Sequence, residues 1–318
     1  MRDTSGDSAP ARPPSVEPEA AVPFPRLVED YAEIARIYGD TRAPERIIAH
    51  YQLERRLAAI LRNASKRERE SGVYTHLYDA LLGELDDHPR KRPVTKRGQD
   101  QRDRYVGRQV RMVLDRVGRD HVFLEIGGGD CEVSLRVSPH VKQTIVVDVT
   151  DELVPPDVAA ANFRFIKVAG VTLPLPDESV DFIYSNQVME HLHPDDAVEQ
   201  VRELFRVLKP GGRYLCRTPS RLTGPHDVSC YFDTVAVGTH IKEYTYRELA
   251  TIFAEAEFTN ICALIAPRAF DFFVMPRFLA FALEDMFARV PRRWHTRVCR
   301  SRAVRALLGV SMVVQKPR

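Results

Sequence analysis

Between His121 and Cys216 the chain alternates short apolar runs with helical stretches, and this alternation limits the fold more than any other feature. Val122–Ile126 runs into Gly127-Gly128-Gly129, and Thr144–Val147 ends at Asp148. Phe163–Val168, Val180–Tyr184 and Arg213–Cys216 follow in order. Asp195–Leu208 has helical spacing. Pro194, Asp195 and Asp196 suit its N-terminus, and Lys209-Pro210-Gly211-Gly212 stops it. Thr245–Glu257 reads as a helix with a capping box, Thr245 followed three residues later by Glu248. Phe258–Ile265 and Val310–Gln315 read as strands six and seven. Strands alternating with helices predict a mostly parallel, doubly wound α/β sheet.

The flanks differ from this centre. Residues 1–25 are rich in proline and polar residues and are expected to be a disordered tail. Residues 26–120 read as a helical N-terminal extension. Apolar residues recur at helical spacing over Leu27–Tyr38 and Ile47–Leu61, a helix is expected over Tyr74–Leu85, and another over Gln101–Val117. Arg90–Arg97 is a basic loop, by default solvated. Residues 121–318 form the main domain, interrupted by a helical insertion at 269–308. That insertion starts rich in Phe and continues rich in Arg. This suits either peripheral contact with an anionic membrane surface or, more simply, packing against the N-terminal helices.

Bulk properties narrow the function classes. The net charge of +2 carries no field that calls for nucleic acid. Five cysteines without a CxxC pair argue against a disulfide framework or zinc ribbon. Reduced thiols and the lack of an apolar leader suggest a cytoplasmic setting. Asp271, Pro276, Arg277, Glu284 and Asp285 interrupt the most apolar stretch, so it cannot be a continuous membrane span.

Ligands of open α/β sheets bind at the carboxyl ends of the strands. A glycine triplet there allows close approach of a cofactor, and Asp148 stands where an acid reaches ribose hydroxyls. A nicotinamide dinucleotide needs G-x-G-x-x-G, but the third position is Glu132. A carboxylate at Glu125 also repels phosphate and suits a cationic ligand.

Glu125-Ile126-Gly127-Gly128-Gly129-Asp130-Cys131 resembles motif I of class I S-adenosylmethionine-dependent methyltransferases. Leu173–Asp181, Val188-Met189-Glu190-His191-Leu192 and Arg206–Gly212 are similar to later elements of the same family, in the same order. Two positions depart from its pattern. Cys131 replaces the third glycine, and Val168-Ala169-Gly170 lacks the acid that often meets adenine. The resemblance implies a Rossmann-like sheet of seven strands with the last antiparallel. It implies S-adenosyl-L-methionine as cofactor. Glu125, Gly127, Gly128 and Gly129 would bind its methionine portion, Asp148 and Val149 its ribose side, and Ala169, Asn186 and Gln187 its adenine side.

Acceptor groups are expected in the loops after strands four and five, which carry Glu190, His191, His193, His226, Asp227, Tyr231, Asp233, His240 and Tyr244. His226, Asp227 and His191 are the leading candidates for acceptor contact or proton transfer, because unperturbed histidine titrates near neutrality. No metal is expected, since His193-Pro194-Asp195 reads as a helix start and Leu192 as core. Ser185-Asn186-Gln187-Val188 stands where exocyclic-amine methyltransferases carry Asp/Asn-Pro-Pro-Tyr, which argues against DNA-base acceptors. By analogy with bacterial type-11-like enzymes, the acceptor is a small molecule, a sugar or a lipid-linked glycan, methylated on oxygen by in-line transfer. The N-terminal helices would act as a lid or as a homodimer element. The alternatives are a catalytically silent binding protein and a polyamine-synthase-type aminopropyl transferase.

Overall fold

The computed structural model describes residues 25–86, 96–156, 158, 161–265, 272–290, 298 and 301–318. The expected tail and most of the basic loop Arg90–Arg97 lie outside them, as do several arginines of the insertion.

The helical extension consists of α1 (Tyr31–Tyr38), α2 (Pro44–Asn63), α3 (Lys66–Glu70), α4 (Val73–Glu84) and α5 (Lys96–Leu114). The sheet domain runs β1 (Val122–Ile126), α6 (Glu132–Val137), β2 (Gln143–Asp148), β3 (Phe163–Lys167), β4 (Val180–Asn186), α7 (Pro194–Val207), β5 (Leu208–Thr218), α8 (Tyr246–Glu255) and β6 (Thr259–Ile265). Then come β7 (Phe273–Pro276), α9 (Arg277–Ala288), α10 (Arg302–Leu308) and β8 (Val310–Gln315).

Eight strands form one sheet in the order β3-β2-β1-β4-β5-β8-β6-β7. The pairs β1/β2, β1/β4, β2/β3 and β4/β5 are parallel, while β8 is antiparallel to both β5 and β6. The mostly parallel sheet and its antiparallel last strand match expectation. The strand number does not, because β7 pairs antiparallel with β6 inside the stretch read as helical. Phe273 and Val274 are strand formers by propensity. At a sheet edge, ladder bonds to β6 outweigh their place in a helical pattern.

Strand alternation divides the core into two layers. Phe123, Phe182, Tyr184 and Leu215 face Val106, Met112 and Val113 of α5 and Val133 and Val137 of α6. Leu124, Ile126, Ile145, Val147 and Ile183 join a second cluster with Ala197, Val201 and Leu204 of α7, and Leu249 and Phe253 of α8. Leu53, Leu57 and Leu61 of α2 and Tyr74, Leu77 and Leu81 of α4 belong to that same cluster. The extension and the sheet therefore share one core. Each fully buried Leu or Phe contributes about 1.5–3 kcal/mol.

Local signals explain the boundaries near the carboxyl edge. His193 caps α7, its ring accepting from the Asp195 N–H, with Pro194 in the first turn. Thr245 and Glu248 form the expected capping box of α8. Among the described residues, no helix is long and apolar enough to cross a membrane. Phe273, Val274, Phe278 and Met286 leave an exposed apolar face on β7 and α9. The insertion packs mainly on β6, with α9 also lying against α8, and Arg305 of α10 lies over the Tyr38 ring of α1 at 5.4 Å.

Candidate active site

The turn after β1 shows why glycine is repeated there. Gly127 and Gly129 have φ of 69° and 54°, in the left-handed region that glycine enters without strain. A Cβ on Gly127 would stand 2.4 Å from Val188 Cγ2, and one on Gly128 2.4 Å from Val146 Cγ1. A Cβ on Gly129 would meet nothing within 4 Å. The first two glycines let the turn pack against β2 and the β4 loop. The third leaves open space where the turn borders a cleft. Cys131, also at positive φ, is buried at the start of α6.

Asp148 ends β2 opposite this turn. Its Oδ2 accepts from the Gly129 N–H at 2.9 Å, and its Oδ1 from the Val149 N–H at 2.7 Å. A carboxylate oxygen has more than one lone pair, so the acid that shapes the turn retains acceptor capacity for a vicinal diol.

Glu125 stands elsewhere. It is 4% exposed, the Ser134 hydroxyl donates to it, and burial pushes its carboxyl up to about 8. It shares the face of β1 that carries Phe123, directed toward α6, and supports the turn from behind rather than lining the cleft.

The cleft encloses about 870 Å³, including its open mouth. Of the residues expected at a cofactor, Gly127, Gly129, Asp148, Val149, Asn186 and Gln187 line it. Gly128 does not, and Ala169 is exposed while its neighbours Val168 and Gly170 take part. Leu153, Val168, Val171 and Leu173 make one wall apolar. Sequence reasoning missed the opposite contribution, Tyr74, Tyr78 and Leu82 of α4. Their aromatic spacing within a predicted helix was the available signal. A mostly apolar cleft with a few convergent polar groups at the carboxyl ends of β1, β2 and β4 is how a built ligand site looks. The donor set fits a planar apolar ring joined to a diol-bearing sugar.

A second, polar cavity of about 1310 Å³, open to solvent, adjoins the first. Tyr78, Leu82, Gln187 and His191 border both. Gln187 adopts φ 60°, a strained conformation for a residue with a side chain, and its N–H donates to Arg217 O at 2.9 Å. The extension supplies Asp40, Arg42, His50 and Glu54, and the loop after β5 supplies His226, Asp227, Thr239 and His240. The buried charges are paired. Arg42 meets Asp40 at 2.6 Å and His50 meets Glu54 at 2.8 Å. Burial opposes ionisation of Glu54, but its bond to His50 and the Thr239 N–H outweigh this and hold its carboxyl below the usual range.

The three expected catalytic candidates all border the polar cavity, but only His191 also reaches the cleft. His191 sits where the cavities meet, its Nδ1 3.0 Å from Thr239 O. His226 and Asp227 border only the polar cavity. His226 Nε2 lies 2.9 Å from Thr223 Oγ1, and burial pulls its pKa down to about 4. Asp227 accepts from the Ser229 and Gly238 N–H groups, both at 3.0 Å, yet burial raises its carboxyl to about 6. Glu190 is fully buried, accepts from Thr218 Oγ1 at 2.8 Å, and is pushed by burial up to about 7. Burial disfavours the charge on His240. Its 2.9 Å bond to Glu243 and the charges of Glu190 and Asp227 prevail, raising it to about 9.

Residues 124–216 match the family described as Methyltransferase domain. Over 104 residues the chain is 38% identical to the uncharacterized methyltransferase YcgJ of Bacillus subtilis, covering 30% of this chain and 40% of that protein. Over 156 residues it is 33% identical to the probable S-adenosylmethionine-dependent methyltransferase Rv3030 of Mycobacterium tuberculosis, covering 46% of this chain and 53% of that one. The chain thus spans about half or less of the length of these relatives. A solved Burkholderia thailandensis 1,6-didemethyltoxoflavin-N1-methyltransferase, with S-adenosylhomocysteine bound, superposes with a TM-score of 0.48 at 17% identity, covering 80% of this chain and 92% of that one. Residues 124–216 thus form a methyltransferase domain, and the chain is similar there to S-adenosylmethionine-dependent methyltransferases.

Proposed function

We propose that the chain transfers a methyl group from S-adenosylmethionine to a hydroxyl of a small polar or glycan-type acceptor. One observation carries this reading: the cleft bordered by Gly127, Gly129 and Asp148 opens, through Gln187 and His191, into a polar cavity. When bound, the cofactor supplies a methyl group already activated on a sulfonium, so the protein's task is positioning. Asp148 would accept from the ribose hydroxyls, the glycine turn would admit the methionine portion, and Val149, Val168 and Asn186 would flank the adenine. Glu125 would act indirectly, holding the turn through Ser134.

The polar cavity suits a polyhydroxylated acceptor. Its paired charges and backbone groups offer hydrogen bonds in both directions, beside apolar surface from Tyr38, Leu81, Leu82, Val228 and Tyr231 on which a sugar face can rest. With the cofactor bound, the acceptor oxygen would take the methyl group as the sulfonium leaves as a neutral thioether. The hydroxyl proton passes to the carboxylate of Asp227, a better base than an ordinary carboxylate because burial raises its pKa to about 6. His226, held neutral by burial, would contact the acceptor.

The test is methyl incorporation from labelled cofactor into a panel of sugars, glycans and hydroxylated metabolites. The active form of Asp227 is deprotonated, so the rate should rise as pH climbs through about 6 and level off above it. Asp227→Asn should lower kcat by about a hundredfold or more. An unchanged rate and pH profile in that variant would remove Asp227 from proton transfer. Incorporation only at nitrogen would overturn the hydroxyl assignment.

A further inference from the structure

We propose that Glu190, His191 and His240 form a binding site for one divalent transition-metal ion, placed between the cofactor cleft and the polar cavity. One ligand atom from each of the three residues lies within 4.8 Å of the others. The trio comes from two separate elements, the turn after β4 and the loop before α8, which the sheet brings to one point.

Three observations support the site. Glu190 is 0% exposed, its Oε2 accepts from Thr218, and its Oε1 has no hydrogen-bond partner among the described residues. A buried carboxylate oxygen left in that state is costly, and a bound cation removes the cost. Both histidines are also held at Nδ1, His191 by the Thr239 carbonyl at 3.0 Å and His240 by the Glu243 carboxylate at 2.9 Å. Metal-ligating histidines are oriented in this way by a carbonyl or carboxylate on the second ring nitrogen, and coordination would use Nε2 in each ring. Glu243 in turn accepts from the His226 N–H at 2.7 Å, so the outer support is itself fixed. Finally, the two rings stand edge to face with centroids 4.8 Å apart, close enough to share an ion. Tetrahedral bonds of about 2.1 Å place ligand atoms roughly 3.4 Å apart, so atoms 4.8 Å apart would close by more than about 1 Å through side-chain rotation.

Two imidazoles and one carboxylate suit Zn²⁺, Co²⁺, Mn²⁺ or Fe²⁺ and leave positions open for an exogenous oxygen. His191 and His240 both border the polar cavity, so such an oxygen would come from a ligand there. The binding site stands independently of the methyl-transfer reading. Its role, holding the acceptor hydroxyl and easing loss of its proton to Asp227, rests on that reading.

The experiment uses the full chain, stripped with a chelator and titrated with Co²⁺ alone, without cofactor. One equivalent should bind at micromolar concentration and give visible absorption bands. Glu190→Gln and His240→Ala should each weaken uptake by at least about tenfold. Pulsed paramagnetic resonance of the wild-type Mn²⁺ complex supplies a check that needs no variant, with couplings to two imidazole nitrogens expected. Absence of stoichiometric uptake up to millimolar Co²⁺, unchanged uptake in both folded variants, or a Mn²⁺ signal without nitrogen couplings would each overturn the site. An imidazolium at His240 facing Glu190 would then account for the trio. Binding of S-adenosylhomocysteine, measured separately, keeps failure of the metal site distinct from failure of the methyltransferase reading.

Discussion

Single positions carry the turn at Gly127–Gly129, and they do different work. Gly127 and Gly128 are demanded by packing, since a Cβ on either would stand 2.4 Å from a valine methyl. Gly129 is demanded by its φ of 54° and by what enters the space beside it. Gly128→Ala should therefore lower stability by about 1–3 kcal/mol through overpacking. Gly129→Ala should fold at a cost of about 1–2 kcal/mol in backbone strain, and should weaken S-adenosylhomocysteine by at least tenfold. Thermal melts paired with calorimetric titration separate the two effects. Wild-type affinity in Gly129→Ala would mean that the cofactor does not approach there. The glycines and Asp148 were legible in the sequence because their roles are local to one turn. Glu125 was less so. Its charge drew attention to the ligand, whereas the period of two in β1 puts it with Phe123 on the α6 face, where Ser134 holds it. Applying that period to the acid would have found its place.

At the scale of elements, α3 and α4 are clamped onto the sheet domain by buried polar bonds. Arg69 Nε donates to Asp196 at 2.8 Å and Tyr74 donates to the same carboxylate at 2.5 Å. Thr75 Oγ1 donates to Val149 O at 2.7 Å, beside the cleft. This clamp brings Tyr74, Tyr78 and Leu82 over the site. Arg69 and Asp196 each have side chains only 6% exposed, so removing one partner strands a buried charge. Asp196→Ala should cost about 3–5 kcal/mol in denaturant unfolding. A loss below about 1 kcal/mol would show that the pair behaves as a surface pair and that α4 is held by apolar contacts alone. The existence of α4 and α7 could be read from periodicity and capping, because those signals lie within each helix. The clamp could not, since Arg69 and Asp196 are distant in sequence and each reads there as an ordinary surface charge. The edge strand β7 was hidden for a related reason. Four residues are too few for a period, and only pairing with β6 makes them a strand.

Across the whole molecule, the apolar core runs without a break from α2 and α4 through the sheet to α7 and α8. The extension completes the polar cavity with Asp40, Arg42, His50 and Glu54, so that cavity is built jointly by the extension and the sheet domain. The order of strands and motifs carried the methyltransferase domain and the cleft at its glycine turn, because both depend on a local turn repeated at each strand end. The polar cavity depends on contacts between α1, α2 and the loop before α8, which no local pattern encodes. Methyl transfer requires that the cleft bordered by Gly127, Gly129 and Asp148 bind the methyl donor. Calorimetric titration of the full chain with S-adenosylhomocysteine tests it most directly. One equivalent should bind with a micromolar Kd, and Asp148→Ala should weaken it by about tenfold, roughly 1.4 kcal/mol. No heat of binding up to sub-millimolar ligand would contradict the account.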